Sequence, residues 1–193
     1  MPSKKEGLSL EKFIFLDRDG VINRDSDAYI KSWTEFEFLP GSLAALKKLT
    51  VAGYRIIVIT NQSIIGRKMV RPETLDDIFT RMQAEIEKNG GRIHDIFFCP
   101  HAPTDGCGCR KPAPGLIEKA ARAYHIDLSA TTMVGDSAKD IQCARRAGCR
   151  FTVLVKTGNY TAARKTLHQE NISPDAVVAD LARAVDWVLE GGE

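Results

Sequence analysis

No stretch of this 193-residue chain approaches the ~18 consecutive apolar residues that a membrane-spanning helix requires. The opening Met1-Pro2-Ser3-Lys4-Lys5-Glu6 has no apolar segment of the kind that marks a secretory leader. Charge of one sign is also scarce: 27 Lys and Arg against 25 Asp and Glu leave a net +2. That balance gives little field to draw in nucleic acid. Aromatic residues make up 7% of the chain and form no basic, aromatic stripe for stacking bases. No internal repeat, low-complexity tract or linker marks a second domain. These features predict a cytoplasmic protein, taken as a monomer, with neither a membrane nor a nucleic-acid partner. What is present is an ordinary globular composition, 44% apolar and 27% charged, in one domain over residues 1–193.

Chemistry concentrates at strand ends. Phe13-Ile14-Phe15-Leu16 reads as a strand buried on both faces, and it leaves the core at Asp17-Arg18-Asp19-Gly20. Side-chain direction repeats every two residues, so Asp17 and Asp19 share one side of that end. Gly20 permits the sharp turn that follows. One carboxylate can attack an electrophile while the other handles protons, and together they can hold a hard cation. The segment alone also fits two solvated carboxylates. A second apolar strand over 55–60 ends in Thr60-Asn61, and a third over 131–135 ends in Gly135-Asp136, with Asp140 four residues on. Arg110-Lys111-Pro112 lies between them. In an open parallel sheet, ligands bind beyond the carboxyl ends of the strands, which brings these groups toward one site.

Strands 13–17, 55–60, 93–98, 131–135, 150–155 and 176–179 alternate with helices near 42–52, 72–88, 114–124, 137–147, 161–170 and 180–190. That alternation predicts an α/β/α sandwich with a mainly parallel, Rossmann-like sheet. The loop 20–41 is too short to form a large cap domain.

The loop 99–112 holds the second constellation. Cys99, His101, Cys107 and Cys109 offer three thiolates and an imidazole within eleven residues, the donor count of a closed, structural zinc site. Reduced, unconnected cysteines are the plainer reading of the same residues. A metal here would fix the backbone that delivers Arg110 and Lys111. Cys143 and Cys149 stand apart and read as packing residues.

The set Asp17/Asp19, Thr60, Lys111 and Asp136 in this order resembles the haloacid-dehalogenase (HAD)-like phosphatase superfamily. Within it, Asp17–Asn23, Phe36–Gly41, Thr60–Ser63, Cys99-Pro-His101, Cys109–Pro112 and Met133–Asp136 resemble one branch. That branch holds the D-glycero-D-manno-heptose 1,7-bisphosphate 7-phosphatases and related histidinol-phosphatases. The resemblance implies a Mg2+-dependent phosphatase in which Asp17 is the nucleophile, Asp19 the acid–base, and Thr60 and Lys111 hold the phosphoryl group. It places magnesium on Asp17, Asp19 (through its carbonyl) and Asp136. It puts Asp25, Ser26, Asn61, Gln62, Ser63 and Arg110 against the substrate, with Arg67 and Lys68 as helpers for a second phosphate. The substrate implied is a heptose 1,7-bisphosphate, dephosphorylated at the 7 position in the synthesis of nucleotide-activated heptose for lipopolysaccharide core or S-layer glycan. Histidinol phosphate, a nucleic-acid 3′ end and a non-catalytic phosphosugar-binding role are the alternatives. One departure stands out: relatives usually have Gly after Thr-Asn-Gln-Ser, where this chain has Ile64.

Overall fold

The computed structural model describes residues 11–192; the N-terminal segment read above for a leader lies outside them. The elements are β1 (Lys12–Leu16), α1 (Ser42–Val51), β2 (Tyr54–Asn61), α2 (Pro72–Lys88), β3 (Ile93–Cys99) and α3 (Gly115–Tyr124). They continue as β4 (Thr132–Gly135), α4 (Ala138–Ala147), β5 (Phe151–Val155), α5 (Tyr160–Gln169), β6 (Ala176–Val178) and α6 (Leu181–Leu189). Six strands form one sheet in the order β3-β2-β1-β4-β5-β6, and every neighbouring pair is parallel. The expected α/β/α sandwich is therefore present.

Strand alternation sorts the core into two layers. Ile14 and Leu16 of β1 join Ile56, Val58, Leu46, Met82 and Val185 on the face covered by α1, α2 and α6. Phe13 and Phe15 face the other way, with Ile57, Ile59, Met133, Ile117 and Cys143 under α3 and α4. Ile14, Phe15 and Leu16 are fully buried, each contributing roughly 1.5–3 kcal/mol. Double-sided burial makes β1 apolar without interruption until Asp17. Helix α2 opens on Pro72, suited to a first turn, and buries Leu75, Ile78, Phe79, Met82 and Ile86 along one stripe.

The chain builds outward through β1, β2 and β3, then crosses to β4 on the opposite side of β1. This reversal is the topological switch point where such sheets bind ligands. The Asp17 N–H donates to Val134 O at 2.9 Å, so the end of β1 is pinned to β4 just where the two diverge. Between β1 and α1 the chain makes two isolated bridges and one short 3-10 turn, Trp33–Glu35, with no cap domain. Among the described residues, no helix is long and apolar enough to cross a membrane.

Candidate active site

A cavity of about 770 Å³ opens at the carboxyl ends of the strands. Asp17, Asp19, Thr60, Lys111 and Asp136 all line it. Lys111 is 3% exposed, and its Nζ lies 2.8 Å from Asp17 Oδ1, 2.5 Å from Asp140 Oδ1 and 2.7 Å from Ile59 O. Burial works against its charge, but Asp140 and Asp17 outweigh that and raise it well above the usual lysine range. Asp140 is fully buried and paired with Lys111, so it is no surface carboxylate. Its Oδ2 accepts from Ser137 N and Oγ at 3.0 and 2.6 Å, so the same side chain caps α4.

Three buried carboxylates, Asp17, Asp136 and Asp140, bring ligand atoms within 4.8 Å of one another around a single ammonium. Negative charge is therefore in excess. Burial, followed by Asp140 and Asp19, raises Asp17 to about 7 against the pull of Lys111. Burial, with Asp140 and Asp17, raises Asp136 to about 8. Oδ1 of Asp17 and of Asp140 are both buried without a well-aligned hydrogen bond. Hard oxygen donors and surplus negative charge fit a divalent cation.

Asp19 has a different environment. Arg18 grips it through Nε and Nη2 at 2.6–3.1 Å, Asn23 Nδ2 donates at 2.9 Å, and Gln62 Nε2 donates at 2.9 Å. Burial opposes its charge, yet Arg18 and these donors prevail and hold it below the ordinary carboxylate range. Arg18 is 1% exposed, with its guanidinium over the Phe36 and Phe79 rings at 6.0 and 5.7 Å. Two aspartates two positions apart thus differ in proton affinity, because one shares a lysine with other buried carboxylates while the other has its own arginine. Gly20 has φ +79, and a Cβ there would collide with Asp136, so this turn accepts only glycine.

Thr60 is 1% exposed, and its Oγ1 accepts from Gln62 Nε2 at 2.9 Å, leaving the hydroxyl proton for a ligand oxygen. Asn61 and Gln62 line the cavity, but their side chains are engaged within the protein. Asn61 Oδ1 accepts from Lys111 N at 3.1 Å and its Nδ2 donates to Lys111 O at 3.2 Å, a clamp on the lysine backbone. Ser63, Ser26, Asp25 and Arg110 also line the wall. Arg110 Nη1 donates to His101 O at 3.2 Å, and Asp25 Oδ2 accepts from Asn159 at 2.7 Å. Arg67 reaches the cavity, whereas exposed Lys68 does not line it. Ile64 is 1% exposed in the core beside α2, so its side chain bears on packing and not on the cavity.

The loop after β3 gathers its four donors. Sγ–Sγ separations among Cys99, Cys107 and Cys109 are 3.3–3.6 Å, and His101 Nδ1 lies 3.5 and 3.2 Å from Cys99 and Cys109. A tetrahedral site with Zn–S bonds of about 2.3 Å has edges of roughly 3.7 Å, so the donor set fits a four-coordinate metal. All five cysteines are free thiols. Burial opposes ionisation of Cys107, but hydrogen bonding to Cys109 and from the Arg110 N–H brings it down to about 7. Backbone bonds Gln62 N to Cys99 O and Gly66 N to Pro100 O, both 2.8 Å, tie this loop to the one after β2.

Fold and site together define a hydrolase built on an aspartate pair at a sheet switch point. A family model described as HAD-hydrolase-like matches residues 108–184. The D-glycero-beta-D-manno-heptose-1,7-bisphosphate 7-phosphatase of Bordetella bronchiseptica is 45% identical, over 93% of this chain and 98% of that protein. The D-glycero-alpha-D-manno-heptose-1,7-bisphosphate 7-phosphatase of Photorhabdus laumondii is 40% identical, over 78% and 86%. A crystal structure of D,D-heptose 1,7-bisphosphate phosphatase from B. bronchiseptica, complexed with magnesium and phosphate, superposes with a TM-score of 0.85, covering 93% of this chain and 98% of that one at 45% identity. The chain belongs to the HAD-like phosphatases and, within them, to the family of heptose-1,7-bisphosphate 7-phosphatases.

Proposed function

We propose that this protein hydrolyses the 7-phosphate of D-glycero-D-manno-heptose 1,7-bisphosphate through an aspartyl-phosphate on Asp17. The observation that supports this most is the meeting of Asp17, Asp19, Thr60, Lys111 and Asp136 in one cavity. Asp17 attacks phosphorus, and the bond to the sugar oxygen breaks as Asp19 supplies its proton. Asp19 then takes a proton from the water that attacks the acyl phosphate, releasing phosphate and restoring the Asp17 carboxylate. Arg18 keeps Asp19 ionised in the resting site, the form needed of the base. A phosphate dianion arriving beside it adds negative charge and favours the protonated form needed of the acid. Lys111 and the Thr60 hydroxyl hold phosphoryl oxygens in the transition state, where positioning and electrostatics dominate. Asp17, the Asp19 carbonyl and Asp136 would hold magnesium, whose charge would screen repulsion between Asp17 and the incoming dianion.

The four donors of the 99–112 loop would hold zinc as a structural ion, fixing Arg110 and Lys111, one and two residues downstream of Cys109. Cys107→Ser is then expected to lose most of the bound zinc and to lower kcat/KM by up to about 10²-fold through a displaced lysine. Metal analysis beside steady-state kinetics measures both, and a parent protein free of zinc would remove this account of the loop.

A second phosphate needs a cation outside the catalytic set, and Arg110, with Arg67 beyond it, supplies that charge at the cavity wall. Arg110→Ala is expected to raise KM for the bisphosphate about tenfold or more, with a far smaller change for a monophosphate. Equal changes would contradict the assignment. The function itself is tested by kcat/KM on both heptose 1,7-bisphosphate anomers, histidinol phosphate and a nucleotide 3′-phosphate. A heptose bisphosphate should lead by orders of magnitude, and preference for either other substrate would overturn the reading.

A further inference from the structure

Asn159 sits at the N-cap of helix α5, a residue type whose side chain ordinarily caps its own helix. Here it makes no capping bond. Its Nδ2 donates instead to Asp25 Oδ2 at 2.7 Å and to Asp136 Oδ2 at 3.3 Å. Its backbone N–H donates to the same Asp136 oxygen at 2.7 Å. A local preference set aside in this way is expected where a residue has a task elsewhere.

The preceding residues make the approach possible. Thr157 Oγ1 donates to Gly20 O at 2.5 Å, tying this segment to the turn after Asp19. Gly158 has φ +71; a Cβ there would strike the Asp136 carboxylate and lie 3.0 Å from Gly20 Cα. Residues 157–159 therefore form a strap across the aspartate turn and the end of β4. A primary amide suits the position on chemical grounds. Its nitrogen carries two hydrogens and no charge, so it serves two carboxylates at once, whereas a hydroxyl has one proton to give and a carboxylate would repel both. Both bonds to Asp136 fall on Oδ2, leaving its other oxygen for a cation.

We infer that Asn159 is a positioning residue that sets the sugar-facing Asp25 and the cation-holding Asp136 in register through one amide. This rests on the reading above for what those two carboxylates touch. Neither the aspartate motif nor the zinc loop contains it, and the reaction scheme does not use it.

The test uses the full-length enzyme stripped of magnesium. Magnesium chloride is titrated calorimetrically without substrate, and kcat/KM is measured on heptose bisphosphate and on p-nitrophenyl phosphate, which has no sugar for Asp25. Asn159→Ala is expected to weaken Mg2+ binding about tenfold. It should also cost more kcat/KM on the sugar substrate than on the aryl one. In an Asp25→Ala background, the same change should still weaken Mg2+ binding but no longer alter the ratio between the two substrates. Asn159→Ser, which restores a helix cap and so protects folding, should retain the lost substrate ratio. Unchanged Mg2+ binding in folded Asn159→Ala and Asn159→Ser would overturn the inference. So would a ratio shift that persists undiminished without Asp25. A parent enzyme inactive on heptose bisphosphate would fail the phosphatase reading instead, and the calorimetry would still decide Asn159.

Discussion

Asp17→Asn should lower kcat by roughly four to six orders of magnitude, the scale on which a covalent nucleophile acts with its partners. It should do so without unfolding the protein. Asp17 is one of three buried carboxylates around one lysine, and burial helps raise it to about 7. A carboxyl raised in this way stabilises the fold below its unfolded value near 4, and that contribution is lost as pH rises through 7. In chelator at about pH 8 the ionised group is a burden, and a neutral amide of the same shape relieves it. The thermal midpoint of metal-free Asp17→Asn should therefore equal or exceed that of the parent. Lys111 keeps Asp140 and the Ile59 carbonyl when it loses Asp17. A variant that is inactive and also markedly destabilised would show Asp17 to be a structural residue.

Lys111→Met should combine loss of activity with loss of stability, and the combination is diagnostic. Removing an ammonium that is 3% exposed leaves Asp17 and Asp140 buried without their counterion. Breaking a buried pair from one side costs about 3–5 kcal/mol. Urea unfolding should register that cost, and kcat should fall by at least about 10²–10³-fold as a donor to the transition state is lost. Adding Asp140→Asn should recover much of the stability, because the orphaned charge is removed, while activity stays absent. A stable Lys111→Met protein would mean that the carboxylate cluster is already neutral without the lysine.

Much of this architecture was legible in the sequence because β1 is buried on both faces. Phe13–Leu16 had to be apolar throughout, so the first acid, Asp17, marks where the strand meets the site. The start of α2 was legible for a different reason, the first-turn proline Pro72. Short 3-10 turns at Trp33–Glu35, Pro103–Asp105 and Leu128–Ala130 carry no periodic signal and were not foreseen.

The groups proposed to meet the reacting atoms stood out by their place at strand ends and by the family resemblance. Those that hold them did not. Arg18 was given no role from sequence, and its grip on Asp19 with the Phe36 and Phe79 rings beneath it is visible only in the fold. Asn61 was read as a substrate contact through its backbone, and the clamp its side-chain amide makes on a residue 50 positions away had no sequence signal. Asn159 meets a partner 134 positions away, and Gly158-Asn159 alone signals only a turn. Ile64 departed from the family pattern beside the substrate motif, yet its side chain turned inward, a direction that loop sequence does not encode.

The central claim is that the phosphoryl group passes through Asp17, and acid-quenched enzyme treated with sodium borohydride tests it most directly. Reduction converts an aspartyl phosphate to homoserine, which peptide mass spectrometry locates in the chain. Enzyme quenched during turnover of heptose bisphosphate should carry homoserine at position 17 and nowhere else, and Asp17→Asn should carry none. Rapid turnover with no reduced residue, or with the modification on Asp19 or another side chain, would contradict it.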